Sequence, residues 1–116
     1  MPKNLLLALA FATACGAGLA ETAASAAGPP AVVEIHNFHF LPDTLTVAAG
    51  TTVIWANEDS SPHTVTDRGN VFRSAALDTK ESFSYTFTSP GEFTYFCKFH
   101  PMMVGTIIVK PAGSSS

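Results

Sequence analysis

The sequence is short of basic residues: 6 Lys and Arg stand against 9 Asp and Glu, scattered along the chain, and the formal net charge is −3. That excludes the cationic footprint by which proteins hold nucleic acid or an anionic membrane surface. Long hydrophobic runs are also missing. Gly16, Gly18 and Glu21 interrupt the one apolar stretch near the start, so it falls short of the roughly 20 residues a membrane-spanning helix needs, and no membrane insertion of the mature domain is expected. With 116 residues in all, there is room for one hydrophobic core and none for a second catalytic domain. Cysteine is scarce, with 2 in the chain, Cys15 and Cys97.

Residues 1–26 read as an export signal. Lys3 gives the positive start, Leu5 to Ala14 the short apolar segment, and Ala24-Ser25-Ala26 a cleavage site of small residues. A rival reading is lipidation at Cys15, but Ala12 stands where a larger aliphatic residue is preferred. Cleavage after residue 26 removes Cys15 and leaves Cys97 as the single thiol of a periplasmic or otherwise exported chain. No internal disulfide can then form. A lone thiol in an oxidising compartment survives when it is buried or bound, and metal ligation supplies such a bond.

What is present points to strands. Apolar residues make up 47% of the chain and include 9 phenylalanines, a composition that suits a compact β-rich fold. Residues 27–30 form a small-residue linker, residues 31–111 the domain and residues 112–116 a polar tail. Val32 to Ile35 reads as a strand, after which the apolar positions change parity to Phe38 and Phe40, predicting a bulge or kink near Asn37 with both phenylalanines facing the core. Leu41-Pro42-Asp43 turns the chain. Leu45 and Val47 alternate with Thr44 and Thr46 before the Ala49-Gly50 turn, and Val53, Trp55 and Asn57 alternate with Thr52 and Ile54 after it. Phe83, Tyr85 and Phe87 alternate strictly with Ser82, Ser84 and Thr86, the pattern of an antiparallel strand with one buried face. Glu92 to Cys97 runs back after Ser89-Pro90-Gly91, and Val104 to Val109 closes the domain. Gly69 to Asp78 has no period and reads as a loop with at most one short strand. Six to eight short strands separated by turns indicate an all-β Greek-key sandwich or barrel.

The chemistry gathers at the end of the domain. In Cys97-Lys98-Phe99-His100-Pro101-Met102-Met103 a thiol, an imidazole and a thioether recur around one tight loop, and His63 follows a predicted strand upstream. Strand pairing could bring both loops to one end of a sandwich. Two imidazoles, a thiolate and a weak thioether are the ligands expected of a blue-copper site. Thiolate and thioether suit Cu(I), imidazole suits both oxidation states, and a fixed mixed set leaves little to move when an electron arrives. Either Met102 or Met103 could supply the thioether. Taken singly, Cys97 reads as a small buried hydrophobe and His63 as a loop residue; together with His100 they point to metal. His36 and His39 sit at no ligand spacing from a thiol and read as ordinary residues, with His39 directed to solvent. Asn57 shares a strand face with Val53 and Trp55. If buried it must be hydrogen-bonded, and it reads either as a bridge between the two ligand loops or as a turn residue.

These residues resemble the plastocyanin-like cupredoxins, most closely the amicyanin type, whose short C-x-x-H-P-x-M ligand loop is matched by Cys97, His100, Pro101 and Met103. Asn57 to Val65 is similar to the family's first-histidine segment, and the resemblance covers roughly residues 32–110. It implies a cupredoxin fold and one copper ion cycling between Cu(I) and Cu(II). It also implies His63, Cys97 and His100 as ligands, with Met103 rather than Met102 as the axial one. Lys98-Phe99 inside the loop and Thr64 after the first ligand depart from the amicyanin pattern. The function implied is a monomeric, non-enzymatic type I copper protein shuttling single electrons between exported redox partners that dock transiently near His100. An alternative is a periplasmic copper-handling protein, although such carriers favour Met- or His-rich stretches and this chain has 3 methionines, the initiator among them. For a cysteine hydrolase built on Cys97 and a histidine, the sequence shows no evident orienting acid and no substrate-cleft signal.

Pro101 has no N–H to donate to the Cys97 sulfur, which favours the oxidised state. Pro101→Ala is therefore expected to raise the reduction potential in voltammetry, and an unchanged potential would remove proline from the list of tuning residues.

Overall fold

Eight strands are strung along the chain: β1 (Ala31–His36), β2 (His39–Leu41), β3 (Thr44–Ala48), β4 (Thr51–Asn57), β5 (Thr66–Asp67), β6 (Ser82–Phe87), β7 (Gly91–Cys97) and β8 (His100–Lys110). The computed structural model describes residues 28–113; the expected export signal at residues 1–26, with Cys15, lies outside the described residues, as do residues 114–116. The strands make two four-stranded sheets, ordered β2-β1-β4-β6 and β3-β8-β7-β5. Pairing is antiparallel except for β1 with β4 and β3 with β8. Among the described residues no helix is long and apolar enough to cross a membrane.

Period-two patterning explains which faces meet. Val33, Ile35, Val53, Trp55 and Phe87 of the first sheet and Val47, Tyr95, Ile107 and Val109 of the second are buried in one core, the interdigitated interior of a β-sandwich. Trp55 is its centre. Its ring lies 5.6 Å from Phe72, 5.7 Å from Phe83 and 5.5 Å from Tyr95, the last edge-on. Such pairs add about 0.5–1.5 kcal/mol each beyond their buried area.

Two expectations need correcting. The parity change after Ile35 is a hairpin turn rather than a bulge: His36 pairs with His39, and Asn37 and Phe38 between them have φ of 54° and 62°, the left-handed pair of a type I′ turn. A turn reverses the chain and so resets which residues face inward. Phe40 is buried, whereas Phe38 is 43% exposed and does not enter the core. The aperiodic Gly69 to Asp78 stretch forms only isolated bridges, His63 to Leu77 and Thr66 to Arg73, yet it contributes Phe72 and Leu77 to the core. No period marks them because each is inserted from irregular backbone.

Close packing is tightest where β7 meets β8. Gly105 pairs with Tyr95, and a Cβ there would overlap Cζ and the hydroxyl oxygen of the Tyr95 ring. Burial pushes the Tyr95 phenol up to about 12, against a smaller opposing effect from the neighbouring Trp55 indole. The fold therefore favours the neutral phenol. That stabilisation is complete below the ordinary value of 10.0 and is lost as pH climbs towards about 12.

Gly105→Ala is expected to lower stability by about 1–3 kcal/mol through overpacking, read as a shift in urea midpoint; a midpoint matching that of the unsubstituted chain would mean that the ring has room to move. Tyr95→Phe should flatten the loss of stability between pH 10 and about 12, and an unchanged alkaline transition would assign it to other groups.

Candidate metal centre

The centre is built by an irregularity in the β7–β8 hairpin. Pairing runs regularly to Phe96 opposite Val104 and then jumps to Cys97 opposite His100. Pro101, Met102 and Met103 are left without partners on β7, and this bulge brings His100 back beside the thiol. It also turns consecutive side chains apart: Met102 is 94% exposed and Met103 6%. Cys97 is a free, fully buried cysteine.

His63 arrives from the other side. It follows the loop after β4, and its backbone exchanges two hydrogen bonds with Leu77, at 3.1 and 2.7 Å. The ligand-capable atoms of His63, Cys97 and His100 lie within 4.8 Å of one another. Cys97 Sγ is 3.7 Å from Nδ1 of His63 and 3.7 Å from Nδ1 of His100. Metal–sulfur and metal–nitrogen bonds of about 2.3 and 2.0 Å, opened to a trigonal angle, place the two donors roughly 3.8 Å apart. The spacing therefore fits three donors around one small ion. Met103, adjacent to this group on β8, shares with His100 the wall of a cleft. His36 and His39 are both exposed and lie outside the trio.

Supporting contacts fix each donor. Asp59 accepts from the backbone N–H of Asn37 at 2.6 Å and of Phe38 at 2.9 Å, and its Oδ2 lies 2.8 Å from Nε2 of His63. Burial opposes its charge, but the donors from Phe38, Asn37 and His63 outweigh that and hold its carboxyl below the usual 3.8. An ionised carboxylate only accepts, so the His63 proton sits on Nε2 and the Nδ1 lone pair faces Cys97. Thr64 ties the two ligand loops together: its N–H points at Cys97 Sγ from 3.4 Å, and its Oγ1 accepts from Lys98 N at 2.8 Å. Phe38 closes the top, with its ring edge-on to His63 at 5.1 Å and to His100 at 4.8 Å.

Asn57 is buried and fully engaged, but it does not bridge the ligand loops. Its amide donates to the carbonyls of Ser61 and Leu77, both at 2.9 Å, and its Oδ1 accepts from Asp59 N. It shapes the first-histidine loop from within, and the bridge is Thr64. Sequence reasoning missed Asp59, although a carboxylate four residues before a candidate ligand histidine is a signal that could have marked it. It missed the Phe38 lid because the turn residues stand far from both ligands in the chain.

Comparison with known proteins agrees with this geometry. The profile of the cupredoxin-like domain matches residues 5–109. The chain is 34% identical over 98 residues to an amicyanin of Paracoccus versutus, covering 78% of this chain and 74% of that protein. It is 30% identical over 117 residues to an amicyanin-alpha of Methylorubrum extorquens, covering 89% and 98%. A solved structure of a Cu(I) form of an amicyanin mutant superimposes with a TM-score of 0.68 at 31% identity, over 76% of this chain and 89% of that one.

Asp59→Ala is expected to cost about 1.5–3 kcal/mol, the scale of hydrogen bonds to a charged group, in urea unfolding of the metal-free chain. It should also speed amide exchange at Asn37 and Phe38, and unchanged exchange at those two amides would show that the turn holds itself.

Proposed function

The chain belongs to the cupredoxin-like family, and on that premise we propose that it is a blue-copper electron carrier holding one copper ion with His63, Cys97 and His100, and with Met103 as a weak axial ligand. The observation that carries this reading is the thiol lying 3.7 Å from two imidazole nitrogens in a pocket where His63 and Cys97 are fully buried. Bound copper supplies a one-electron couple between Cu(II) and Cu(I). The chain's own residues supply everything that keeps that couple fast. His63 cannot turn, because Asp59 holds Nε2 while the Leu77 bridge holds its backbone. Cys97 must lose its proton to bind, and the Thr64 N–H points at its sulfur from 3.4 Å. A donor set held by two sheets changes shape little between oxidation states, so little reorganisation accompanies each transfer.

His100 is the route for the electron. It is the one imidazole of the trio that is not fully buried, and Phe99, Pro101 and Met102 around it are exposed. Redox proteins, one donating an electron and one accepting it, dock on this apolar rim through a small interface, typically under about 1,200 Å². The chain works as an exported, periplasmic monomer released from the signal at residues 1–26.

Reconstitution with Cu(II) is expected to give one copper per chain and an intense visible band from the thiolate–copper bond. Cys97→Ser should abolish the band, and a colourless well-folded sample of the unsubstituted chain would refute the reading. Met102→Ala should keep the band and slow electron exchange with a redox partner several-fold; an unchanged rate would move the docking surface elsewhere.

A further inference from the structure

The β1–β2 hairpin carries two histidines that the electron-transfer site does not use. His36 and His39 stand directly opposite each other across the turn, and opposed residues of an antiparallel pair share a face with Cβ atoms about 5 Å apart. Both are exposed. His39 Nδ1 lies 2.8 Å from the carbonyl oxygen of Asn37. A carbonyl only accepts, so the ring proton is on Nδ1 and the Nε2 lone pair is free. A carbonyl-anchored N–H of this kind is the arrangement that orients ligating histidines.

The position of His39 gives the pair a purpose. A cleft of about 460 Å³ runs between the hairpin and β8, and its walls include Phe38, His39, Asp43, Met102, His100 and Met103. Two of the proposed copper ligands thus lie on the same cleft as His39. At roughly 30 Å³ per water the cleft accommodates a cation with its hydration shell. His63 and Cys97 are fully buried, so an arriving ion approaches them from the side on which His100 and Met103 face this cleft.

We propose that His36 and His39 form an outer capture site for cupric ion at the mouth of this cleft, through which the metal-free chain is loaded. The proposal rests on the electron-carrier reading for its destination and on the hairpin alone for the capture site. Neutral imidazoles take the ion from water and raise its concentration beside the cleft. His100 and Met103 then receive it, and bonding to Cys97 releases the thiol proton to solvent. No electron is exchanged in loading.

The test is stopped-flow mixing of metal-free protein with limiting Cu(II) at neutral pH, following the visible band, for the unsubstituted chain, His39→Gln and the double variant His36→Gln/His39→Gln. Both variants are expected to load at least tenfold more slowly, while the final spectrum, the copper content and the urea midpoint match those of the unsubstituted chain. Equal loading rates would overturn the capture site and leave the electron-carrier reading intact. If the unsubstituted chain gave no visible band, that reading would fall instead. Electron paramagnetic resonance of added Cu(II) would then decide the capture site: a bound signal lost in the double variant supports it, and an identical signal in both chains overturns it.

Discussion

Three residues of β8 that find no partner on β7 set the terms for the whole metal-binding end. In an uninterrupted ladder the residue opposite Cys97 would be Met103, one step beyond the Phe96–Val104 pair, and His100 would lie past the end of β7. The jump in register instead sets His100 opposite Cys97 and sends Met102 and Met103 to opposite sides. Everything else at this pole accommodates that arrangement. The rest of the β7–β8 ladder is regular, so the strain of the irregularity is confined to the loop that needs it.

Around that hairpin the chain has built a shell in which single groups serve two ends. The carboxylate of Asp59 fixes the proton of His63 and also anchors the Asn37–Phe38 turn. A bulky residue at φ 62° is unfavourable by roughly 1–3 kcal/mol on its own, and the two backbone hydrogen bonds to Asp59 offset it. What the strain yields is an aromatic edge against both imidazoles. Thr64 in the same way joins the loop of the first histidine to that of the cysteine. Loss of either residue would be felt at two ligands at once.

How much of this could be read without coordinates follows from which interactions are local. The alternation of Phe83, Tyr85 and Phe87 reports directly on a sheet face, and the Cys97 to Met103 spacing reports on one hairpin loop, so both were legible. The β2 strand, at three residues, is too short to show a period, and the turn before it is marked by Asn37 but disguised by Phe38, a residue rarely found in a left-handed conformation. Phe72 enters the core from irregular backbone. Asp59 and Thr64 act across loops whose proximity depends on how β4, β5 and β7 are arranged, and no spacing in the chain encodes that. Asn57 showed its burial through its strand face but not its partners, because those carbonyls belong to a loop and to a bridge that only the folded chain creates.

The donors differ in how they depend on folding. Cys97, His100 and Met103 are neighbours in the chain and stay within reach of one ion even in a denatured ensemble, whereas His63 joins them only when the two sheets are assembled. Copper bound by the proposed set would meet three of its groups in the unfolded chain and all four in the native one, so the energy by which it would protect the fold is the contribution of that last imidazole and its surroundings rather than the whole binding energy. The closed sandwich is therefore what distinguishes the full four-donor site from the local segment that carries three of its members.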